Sequence, residues 1–376
     1  MRLLAVIPGL ALILIILWDA FETIILPRRV TRRLRLTSVF YRTMWSLCSS
    51  MVRAMHNRKR REKYLGTFGP LSLLMLLAMW ALGLILGYAM LLWAVDTRLN
   101  SSAAETTFGT YLYLSGVTFF TLGYGDVVPL LPWGRALVVI EAATGFGLLA
   151  IVIGYLPVLY QAFSRREVNI ALLDARAGSP SSAAEMLRRH GESGHLHDLN
   201  KVLHEWEHWS AEVLESHLSY PVLCYFRSQH DNQSWLGSMT TILDTCALVL
   251  VGVGNTPTWQ AKLTFAMARH AVVDLAQVFR ATPTGPEFDS CRLLPGDLER
   301  IRAILAKNET HLQDGEEAER KLTELRSMYE PYVCALSEML LMSLPPWIVG
   351  EDAIDNWKTS AWGRITVSGD AMEDED

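Results

Sequence analysis

The segment Phe119-Phe120-Thr121-Leu122-Gly123-Tyr124-Gly125-Asp126-Val127-Val128-Pro129 decides the organisation of the chain. Its two glycines, Gly123 and Gly125, alternate with larger residues, and glycine adopts left-handed backbone dihedrals without a Cβ penalty. Alternating dihedrals of this kind direct successive backbone carbonyls toward one axis, with the Thr121 hydroxyl below them. A hairpin turn with a chance Gly-x-Gly is the simpler alternative. It fits less well because the segment lies between two apolar stretches of membrane-spanning length.

Composition divides the 376-residue chain into two parts. Hydrophobic residues make up 51% of the chain, which is high for a soluble protein, and they are concentrated before residue 162. Residues 1–162 carry 15 Lys and Arg against 7 Asp and Glu, whereas residues 163–376 carry 19 against 32. This predicts a basic membrane part followed by an acidic soluble part. The cysteines have no CxxC spacing and are predicted to be reduced packing thiols: Cys48, Cys224, Cys246, Cys291 and Cys334.

The first 27 residues are predicted to contain an uncleaved transmembrane helix. Residues 3–26 are largely apolar apart from Asp19 and Glu22, and they lack the Ala-x-Ala cleavage site of a signal peptide. The two acids are one helical turn apart and therefore share a face. Either they lie near the membrane surface and pair with Arg28 or Arg29, or they face protein or water and take part in gating or proton sensing.

Residues 28–68 form a basic segment. From Arg28 to Lys63 there are twelve basic residues and one acid, Glu62, so the positive-inside rule places this segment in the cytoplasm. Apolar residues recur within it at helical spacing. This predicts an amphipathic helix on the inner leaflet with its basic ends on anionic lipid headgroups. A voltage sensor is the alternative, but these arginines cluster outside any spanning run and only one predicted helix precedes them.

Apolar stretches flank the segment Phe119–Pro129 on both sides. Residues 71–95 are long enough to span a bilayer and contain Gly83 and Gly87 in a GxxxG arrangement, which permits close helix approach. Residues 106–120 are too short to span and fit a re-entrant helix whose carbonyl end favours a cation. Residues 133–161 then return through the membrane. This topology places the N-terminus outside and the C-terminus inside.

The arrangement resembles the two-helix pore domain of prokaryotic potassium channels. The resemblance covers residues 71–163, and its most specific motif is the Thr-Leu-Gly-Tyr-Gly sequence, which is similar to that family's selectivity-filter loop. Asp126, Pro129 and the Trp-Gly-Arg that opens the second helix also match. The resemblance implies that four copies form a homotetramer around a filter that binds K+ ions. The filter residues are then Thr121, Leu122, Gly123, Tyr124 and Gly125.

Two positions depart from the family pattern. Leu122 stands where valine is commoner, and Val117 stands where some relatives carry a glutamate that pairs with the filter's Asp126. The second departure puts slow filter inactivation of that kind in doubt. Thr118 borders the filter. Glu141, on the second helix, either hydrogen-bonds behind the filter or is a carboxylate that snorkels to the membrane interface.

The second helix of the pore domain contains three predicted gating positions. Gly145 lies ten residues after Arg135, at the spacing of the family's hinge. Pro157 lacks the N–H that would bond the Ile153 carbonyl, and its ring crowds that turn, so a kink is expected there. Gly154 lies three residues earlier. Movement of the cytosolic domain would reach the helix at or just below this kink.

The rest of the chain is predicted to be an all-α cytosolic regulatory domain, residues 164–344, and an acidic tail, residues 345–376. Apolar residues recur at helical spacing and no run clearly reaches spanning length, although residues 242–254 come close. The predicted helices cover residues 182–190, 195–218, 234–253, 258–279, 295–312 and 315–342. The predicted breaks lie at residues 178–180, 220–221, 255–257 and 283–286. The tail holds Trp347, Trp357 and Trp362.

Two motifs in this domain suggest other chemistry. His204 and His208 form an HExxH pattern, with both imidazoles on one helical face as in zinc peptidases. Solvated or packed histidines are the simpler explanation, and a metal site, a pH sensor and a hydrolase are the alternatives. Three further histidines are close in sequence to the HExxH pattern: His195, His197 and His217.

The second motif is Gly252-Val253-Gly254. It lacks the third glycine and the strand–helix alternation of a dinucleotide site, so a glycine helix end is predicted.

The sequence therefore predicts an all-α membrane protein. Residues 1–27 form a transmembrane helix, residues 28–68 a basic cytosolic segment and residues 69–163 a potassium-channel pore domain, ahead of the cytosolic domain. We expect passive K+ conduction across the inner (plasma) membrane, no enzymatic activity, no organic cofactor, no nucleic acid and a regulatory ligand of unknown identity. The alternative is a membrane-anchored sensor or metal-dependent enzyme with a vestigial pore, acting through His204 and His208.

Overall fold

A computed structural model describes residues 2–26, 35–101, 106–192, 196–230, 232–254, 256–283, 292–308 and 310–350. The chain divides into two compact units, Met1–Gln161 and Ala162–Asp376, here called the N-terminal unit and the C-terminal unit. Several predicted features lie outside the described residues: Arg28, Arg29, Arg32, Arg33, His195, Asn255, residues 284–286, Cys291, and the tail from residue 351 with Trp357 and Trp362.

The N-terminal unit consists mainly of long helices, as predicted. In chain order its elements are a 3₁₀ turn Arg2–Ala5, α1 (Val6–Ala20) with a π turn Phe21–Ile25, α2 (Leu36–Arg53), α3 (Arg58–Ala94), β1 (Leu99–Ser101), α4 (Phe108–Phe119), β2 (Val127–Pro129) and the first part of α5 (Pro132–Ala177). By length and composition α1, α3 and α5 can cross a membrane. Helix α2 corresponds to the amphipathic helix expected within the basic segment.

Helix α1 packs against α3 along the predicted GxxxG sequence. A Cβ atom on Gly83 would approach the Ile16 side chain to 2.3 Å, and one on Gly87 would approach Ile13 to 2.7 Å. Ile13 and Ile16 therefore occupy the space that larger residues on α3 would fill. Because both glycines lie on one face, the two helices approach closely over a full turn.

Two acids of the first helix are bonded within the protein. The buried Asp19 carboxylate accepts hydrogen bonds from the Thr37 backbone N–H at 3.1 Å, the Thr37 hydroxyl at 2.5 Å and the Trp80 indole at 3.0 Å. Thr37 lies in the first turn of α2, where a carboxylate satisfies free N–H groups and complements the helix dipole. Glu22 lies 3.6 Å from the Arg35 guanidinium. Asp19 thus joins α1, α2 and α3.

Helix α3 begins earlier than the sequence suggests. It starts at Arg58, not near residue 71, so the basic residues that follow Arg58 form its first turns. Asn57 caps this start by accepting a hydrogen bond from the Arg60 backbone N–H at 3.2 Å. Pro70 lies inside the helix. It cannot donate the backbone hydrogen bond that another residue would make at this position.

The C-terminal unit is also helical. Besides the end of α5 it contains α6 (Ala183–Glu192), α7 (Leu199–Ser219), α8 (Trp235–Gly252), α9 (Trp259–Phe279), α10 (Asp297–Ala306), α11 (Glu316–Ser327) and α12 (Glu330–Leu340), with 3₁₀ turns Leu196–Asp198 and Pro221–Tyr225. The helix predicted over residues 315–342 is two helices, because Pro331 starts α12. The helix predicted over residues 295–312 ends at Ala306, and Leu312 forms a β-bridge with Val253.

Helix α8 forms the centre of this unit. It is apolar enough to cross a membrane by length and composition, yet 94% of its most apolar window is buried inside the protein. Helices α6, α7, α9, α11 and α12 pack around it. The helix ends at Gly252, whose φ of 140° fits the predicted glycine helix end. Of the described cysteines, Cys224, Cys246 and Cys334 are buried thiols and Cys48 is half-buried.

A buried ion cluster joins α8 to the end of the described chain. Arg292 donates to Asp244 Oδ2 at 2.5 Å, to Glu330 Oε1 at 3.3 Å and to the Pro345 carbonyl at 2.9 Å. The Trp347 ring is fully buried, with its centroid 5.7 Å from the Arg292 guanidinium carbon. The segment predicted to be an acidic tail from residue 345 therefore begins as a packed part of the unit.

Candidate functional site

Residues 120–126, the filter loop, connect α4 to β2. Helix α4 begins after a capping box, in which Thr107 and Thr110 each bond the other's backbone N–H. After the loop, β2 pairs antiparallel with β1, with Leu99 opposite Pro129. Strand β1 was not predicted, because three residues are too few to show the alternation of a strand. The strand pair holds the end of the loop that follows Asp126.

The backbone of the filter loop alternates in handedness. Gly123 and Gly125 have φ of 59° and 76°, the left-handed values that the sequence predicts. Thr121 also has a positive φ, 55°, although a residue with a Cβ atom adopts it at a cost of roughly 1–2 kcal/mol. Backbone hydrogen bonds to α4 hold the start of the loop, among them those from Thr121 N to Thr118 O at 2.9 Å and from Leu122 N to Val117 O at 2.8 Å.

Two side chains of the filter loop have little contact with their own chain. Leu122 is 53% exposed and Tyr124 is 68% exposed. If the carbonyls of the loop face an axis, these two side chains point away from it and need a surface to pack against. No helix of the same chain covers them in the described residues, so packing of these side chains requires a surface from outside the single chain.

Asp126 has a partner that sequence reasoning missed. The Tyr113 hydroxyl, on α4, donates to Asp126 Oδ2 at 2.9 Å. Tyr113 lies one helical turn before Val117, the position where some relatives carry a glutamate. The Tyr113 phenol therefore bonds the aspartate that follows the filter, and Tyr113 lies on the same helix, α4, as Val117. The four-residue spacing places Tyr113 and Val117 on one face of α4, but it does not identify Asp126 as the partner of Tyr113.

Glu141 is fully buried between three helices. Its Oε1 atom is hydrogen-bonded to the Ser115 hydroxyl of α4, and Oε2 has no hydrogen-bond partner among the described residues. The same hydroxyl lies 2.7 Å from the Ile85 carbonyl of α3. A hydroxyl has one hydrogen, so Ser115 can donate to only one of these two oxygens at a time. Glu141 thus lies behind α4 and not at the protein surface.

Comparisons with known proteins identify the helices around this loop. A family model described as "Ion channel" matches residues 74–161, which include α3 from its middle, α4, the filter loop and the first part of α5. Protein LctB from Bacillus caldotenax is 34% identical over 93 residues, an alignment that covers 22% of this chain and 69% of that protein. The chain belongs to the ion channel family. No solved structure gives a significant match to the chain.

In this ion channel Gly145 lies directly against the end of α4. A Cβ atom at this position would lie 2.1 Å from the Phe119 carbonyl oxygen and 3.0 Å from the carbonyl carbon. Backbone atoms cannot move aside as a flexible side chain can, so the position excludes every residue other than glycine without displacement of α4. Phe119 is also the residue from which the filter loop leaves α4. The glycine singled out as a hinge therefore has a steric role next to the loop.

The other predicted gating positions of the channel lie within one continuous helix. Helix α5 contains Pro157 in its interior and continues to Ala177, beyond the end at residue 161 that the sequence suggests. A Cβ atom on Gly154 would contact nothing within 4 Å in the described chain. Unlike Gly145, Gly154 is therefore not required by a close contact within the chain.

The histidines of the HExxH pattern are exposed on α7. The His204 and His208 ring centroids lie 4.7 Å apart, and His204 Nδ1 lies 3.8 Å from Glu207 Oε2. Within the described residues of the channel, no group of three or more His, Cys, Asp or Glu side chains could hold a metal ion. The two imidazoles therefore lack a third ligand in the described part of the chain.

His217, in contrast, is completely buried. Its Nε2 atom lies 3.2 Å from Arg166 Nη1 and its Nδ1 atom lies 2.8 Å from the Val213 carbonyl. Because arginine only donates, Nε2 accepts and Nδ1–H donates to Val213. Burial, and then the Arg166 charge, hold the pKa of His217 well below its ordinary value, so the ring is neutral at pH 7. Arg166 also donates to the Leu223 and Phe226 carbonyls, each at 2.9 Å.

Proposed function

We propose that this ion channel is potassium-selective and conducts K+ passively through a homotetrameric pore. The observation that carries the proposal is the backbone of the filter loop, where φ is positive at Thr121, Gly123 and Gly125. This alternation turns successive peptide planes, so that carbonyl oxygens from residues 121–124 can replace the hydration shell of a dehydrated K+ ion. The bound ions in the filter are the only cofactors that the proposal needs.

The exposure of the loop side chains supports the tetramer. A single loop cannot enclose an axis, and a closed ring of four identical loops can. In that ring, Leu122 and Tyr124, which are exposed in the single chain, would pack on the helices of neighbouring copies. Their burial would then fix the width of the ring from behind, while the carbonyls face the axis.

We propose that α5 gates the pore and that the C-terminal unit regulates it. Helix α5 continues from the pore domain into the C-terminal unit, and Gly145, Gly154 and Pro157 are the candidate gating positions. We place the channel in the inner membrane as a multi-pass protein with the C-terminal unit in the cytosol. The basic residues from Arg28 to Lys63 contact anionic headgroups, in keeping with the positive-inside rule.

Flux from liposomes tests the selectivity. The purified chain is reconstituted into liposomes loaded with K+ or with Na+, and efflux of each ion is compared in matched preparations. Selective K+ efflux is expected, together with a tetrameric mass in detergent. Equal efflux of both ions, or a monomer without flux, would contradict the proposal. The same assay, repeated over pH, metals and nucleotides, identifies the stimulus that opens the pore.

The metal-dependent alternative has no supporting observation among the described residues, since His204 and His208 lack a third ligand there. Bound zinc in the purified protein, lost in His204→Ala, would revive it.

A further inference from the structure

The C-terminal unit contains a cavity of about 510 Å³ that is lined by cations. Lys262 and Arg269 on α9 and Lys321 on α11 contribute its charges. All three residues are exposed, and no acidic residue lines the cavity. Residues 163–376 carry 19 basic against 32 acidic residues. A group of three cations without an acid is therefore the opposite of what this unit's composition favours.

Helical spacing explains how the cations come together. Lys262, Phe265 and Arg269 are three and four residues apart along α9 and share one face. Lys321 and Leu325 are four residues apart along α11 and likewise share a face. Both helices contribute to the lining, together with Leu250 of the central helix α8. The lining thus combines cationic and apolar side chains.

The cations have no internal role in the described structure. Most other cations of the unit, such as Arg292 and Arg166, are engaged with carboxylates or carbonyls. Within the described ranges, the side chains of Lys262, Arg269 and Lys321 make no ion pair. Uncompensated charges of one sign repel each other and lower the stability of the unit unless an opposite charge binds.

We propose that this cavity binds a soluble organic anion in which a phosphate group is joined to an apolar or aromatic body, the chemistry of a nucleotide. Lysine and arginine donate charge-assisted hydrogen bonds to phosphate oxygens. Leu250, Phe265 and Met328 offer the apolar surface for the body. Thr258 also lines the cavity at the N-terminus of α9, where the helix dipole favours an anion. The volume lies in the range of small-molecule sites.

The proposal concerns ligand binding by the C-terminal unit and holds whichever ion the pore conducts. Its test uses the full chain in a non-ionic detergent and two probes, the fluorescent nucleotide TNP-ATP and inorganic pyrophosphate. Saturable binding of TNP-ATP, displaced by pyrophosphate, is expected. Each of Lys262→Gln, Arg269→Gln and Lys321→Gln removes one cation from an exposed position and should raise the Kd about tenfold.

Matched controls separate this site from general attraction of anions. Arg320→Gln removes an exposed cation next to Lys321 on another face of α11, and Lys201→Gln removes one from α7; neither residue lines the cavity. Both variants should bind TNP-ATP like the parent. Met328→Gln should weaken TNP-ATP but leave pyrophosphate unchanged, because it alters only the apolar surface.

Three results would overturn the proposal. The first is the absence of saturable TNP-ATP binding to the parent chain. The second is an equal loss of affinity in Arg320→Gln and Lys321→Gln, which would indicate unspecific charge attraction. The third is full binding by the variant that combines the three glutamine substitutions.

Discussion

Helices α5 and α8 are both apolar enough to cross a membrane, yet they are enclosed to very different extents. In α8 94% of the most apolar window is buried by the protein itself, whereas in α5 the share is 11%. Composition alone does not distinguish the two cases. The C-terminal unit satisfies its apolar helix with its own neighbours, while the N-terminal unit leaves its apolar surface to be covered from outside the chain.

The two units also differ in how their unusual local features are held in place. The C-terminal unit holds its unusual groups, such as the Arg292 cluster, by contacts within the chain. The loop has unusual dihedrals at Thr121, Gly123 and Gly125 with exposed side chains between them. We therefore expect the N-terminal unit to be sensitive to backbone changes and the C-terminal unit to losses of buried charge.

The largest effect is expected for Gly123→Ala. A Cβ atom at this position meets nothing within 4 Å in the chain, so within a single chain the strain comes from the φ of 59°. The strain is about 1–2 kcal/mol in each chain, and a tetramer contains it four times. Potassium flux from liposomes should be abolished while the protein still assembles. Gly116→Ala, on helix α4 with equally open surroundings, is the control, and selective flux from Gly123→Ala would refute the filter assignment.

The next largest effect is expected for Arg292→Met in the C-terminal unit. Removal of the cation leaves the buried Asp244 without an ion pair, at a cost of roughly 3–5 kcal/mol. Glu330 keeps its ion pair with Arg326. Urea unfolding followed by tryptophan fluorescence should show the loss, since Trp347 lies beside Arg292. Arg300→Met removes an arginine whose side chain is 75% exposed and should change stability by less than about 0.5 kcal/mol. Equal stability of the two variants would mean that the buried cluster does not hold this unit together.

The third prediction concerns Gly145→Ala. The new methyl group would overlap the Phe119 carbonyl, and overpacking of this kind costs typically about 1–3 kcal/mol. Thermal stability of the assembled protein should fall. Gly147→Ala, two residues along the same helix, meets nothing within 4 Å and should be tolerated. Equal thermal stability of the two variants would mean that the close contact with α4 does not restrict the size of residue 145.

A smaller effect is expected at Glu141. Ser115→Ala removes its hydrogen-bond donor and leaves a buried carboxyl without a partner, which costs about 1–3 kcal/mol. Glu141→Gln should cost less, because its amide can donate to the Ser115 oxygen while Ser115 donates to Ile85. Melting temperatures of the two variants test this order. The reverse order would indicate that a charged Glu141 is required.

The smallest effect is expected for Pro157→Ala. This change restores a backbone N–H within α5 and removes a bending point. Open probability in single-channel recordings should shift, while ion selectivity stays the same. An unchanged open probability under every stimulus that gates the parent would assign Pro157 to the scaffold.

The helices were largely predictable because apolar periodicity and length survive in a single sequence. Two local features were not predictable, and a third was missed although the sequence indicates it. The β1–β2 pair has too few residues to show alternation. Helix α3 starts at Arg58, where Asn57 caps it. Pro70 lies inside the helix and, in the sequence alone, favours a later start. The break before α12 carried a readable signal, since Pro331 marks a helix start.

Side-chain partners were the least predictable part of the site. The left-handed backbone at Gly123 and Gly125 was predictable from the glycines themselves, because it depends on the residue type and not on neighbouring side chains. The Ser115–Glu141 and Tyr113–Asp126 hydrogen bonds join residues on different elements. Their pairing depends on how α3, α4 and α5 pack, and helical spacing within one element does not contain that information.

The contact between Gly145 and the end of α4 bears on how such channels can diverge in evolution. Because backbone atoms face the position, a mutation to any other amino acid displaces the residue from which the filter loop starts. Selection would remove such mutations even in a channel whose inner helix never bends. Persistence of a glycine at this site among descendants would therefore record a steric fit, and a moving joint would have to be demonstrated separately.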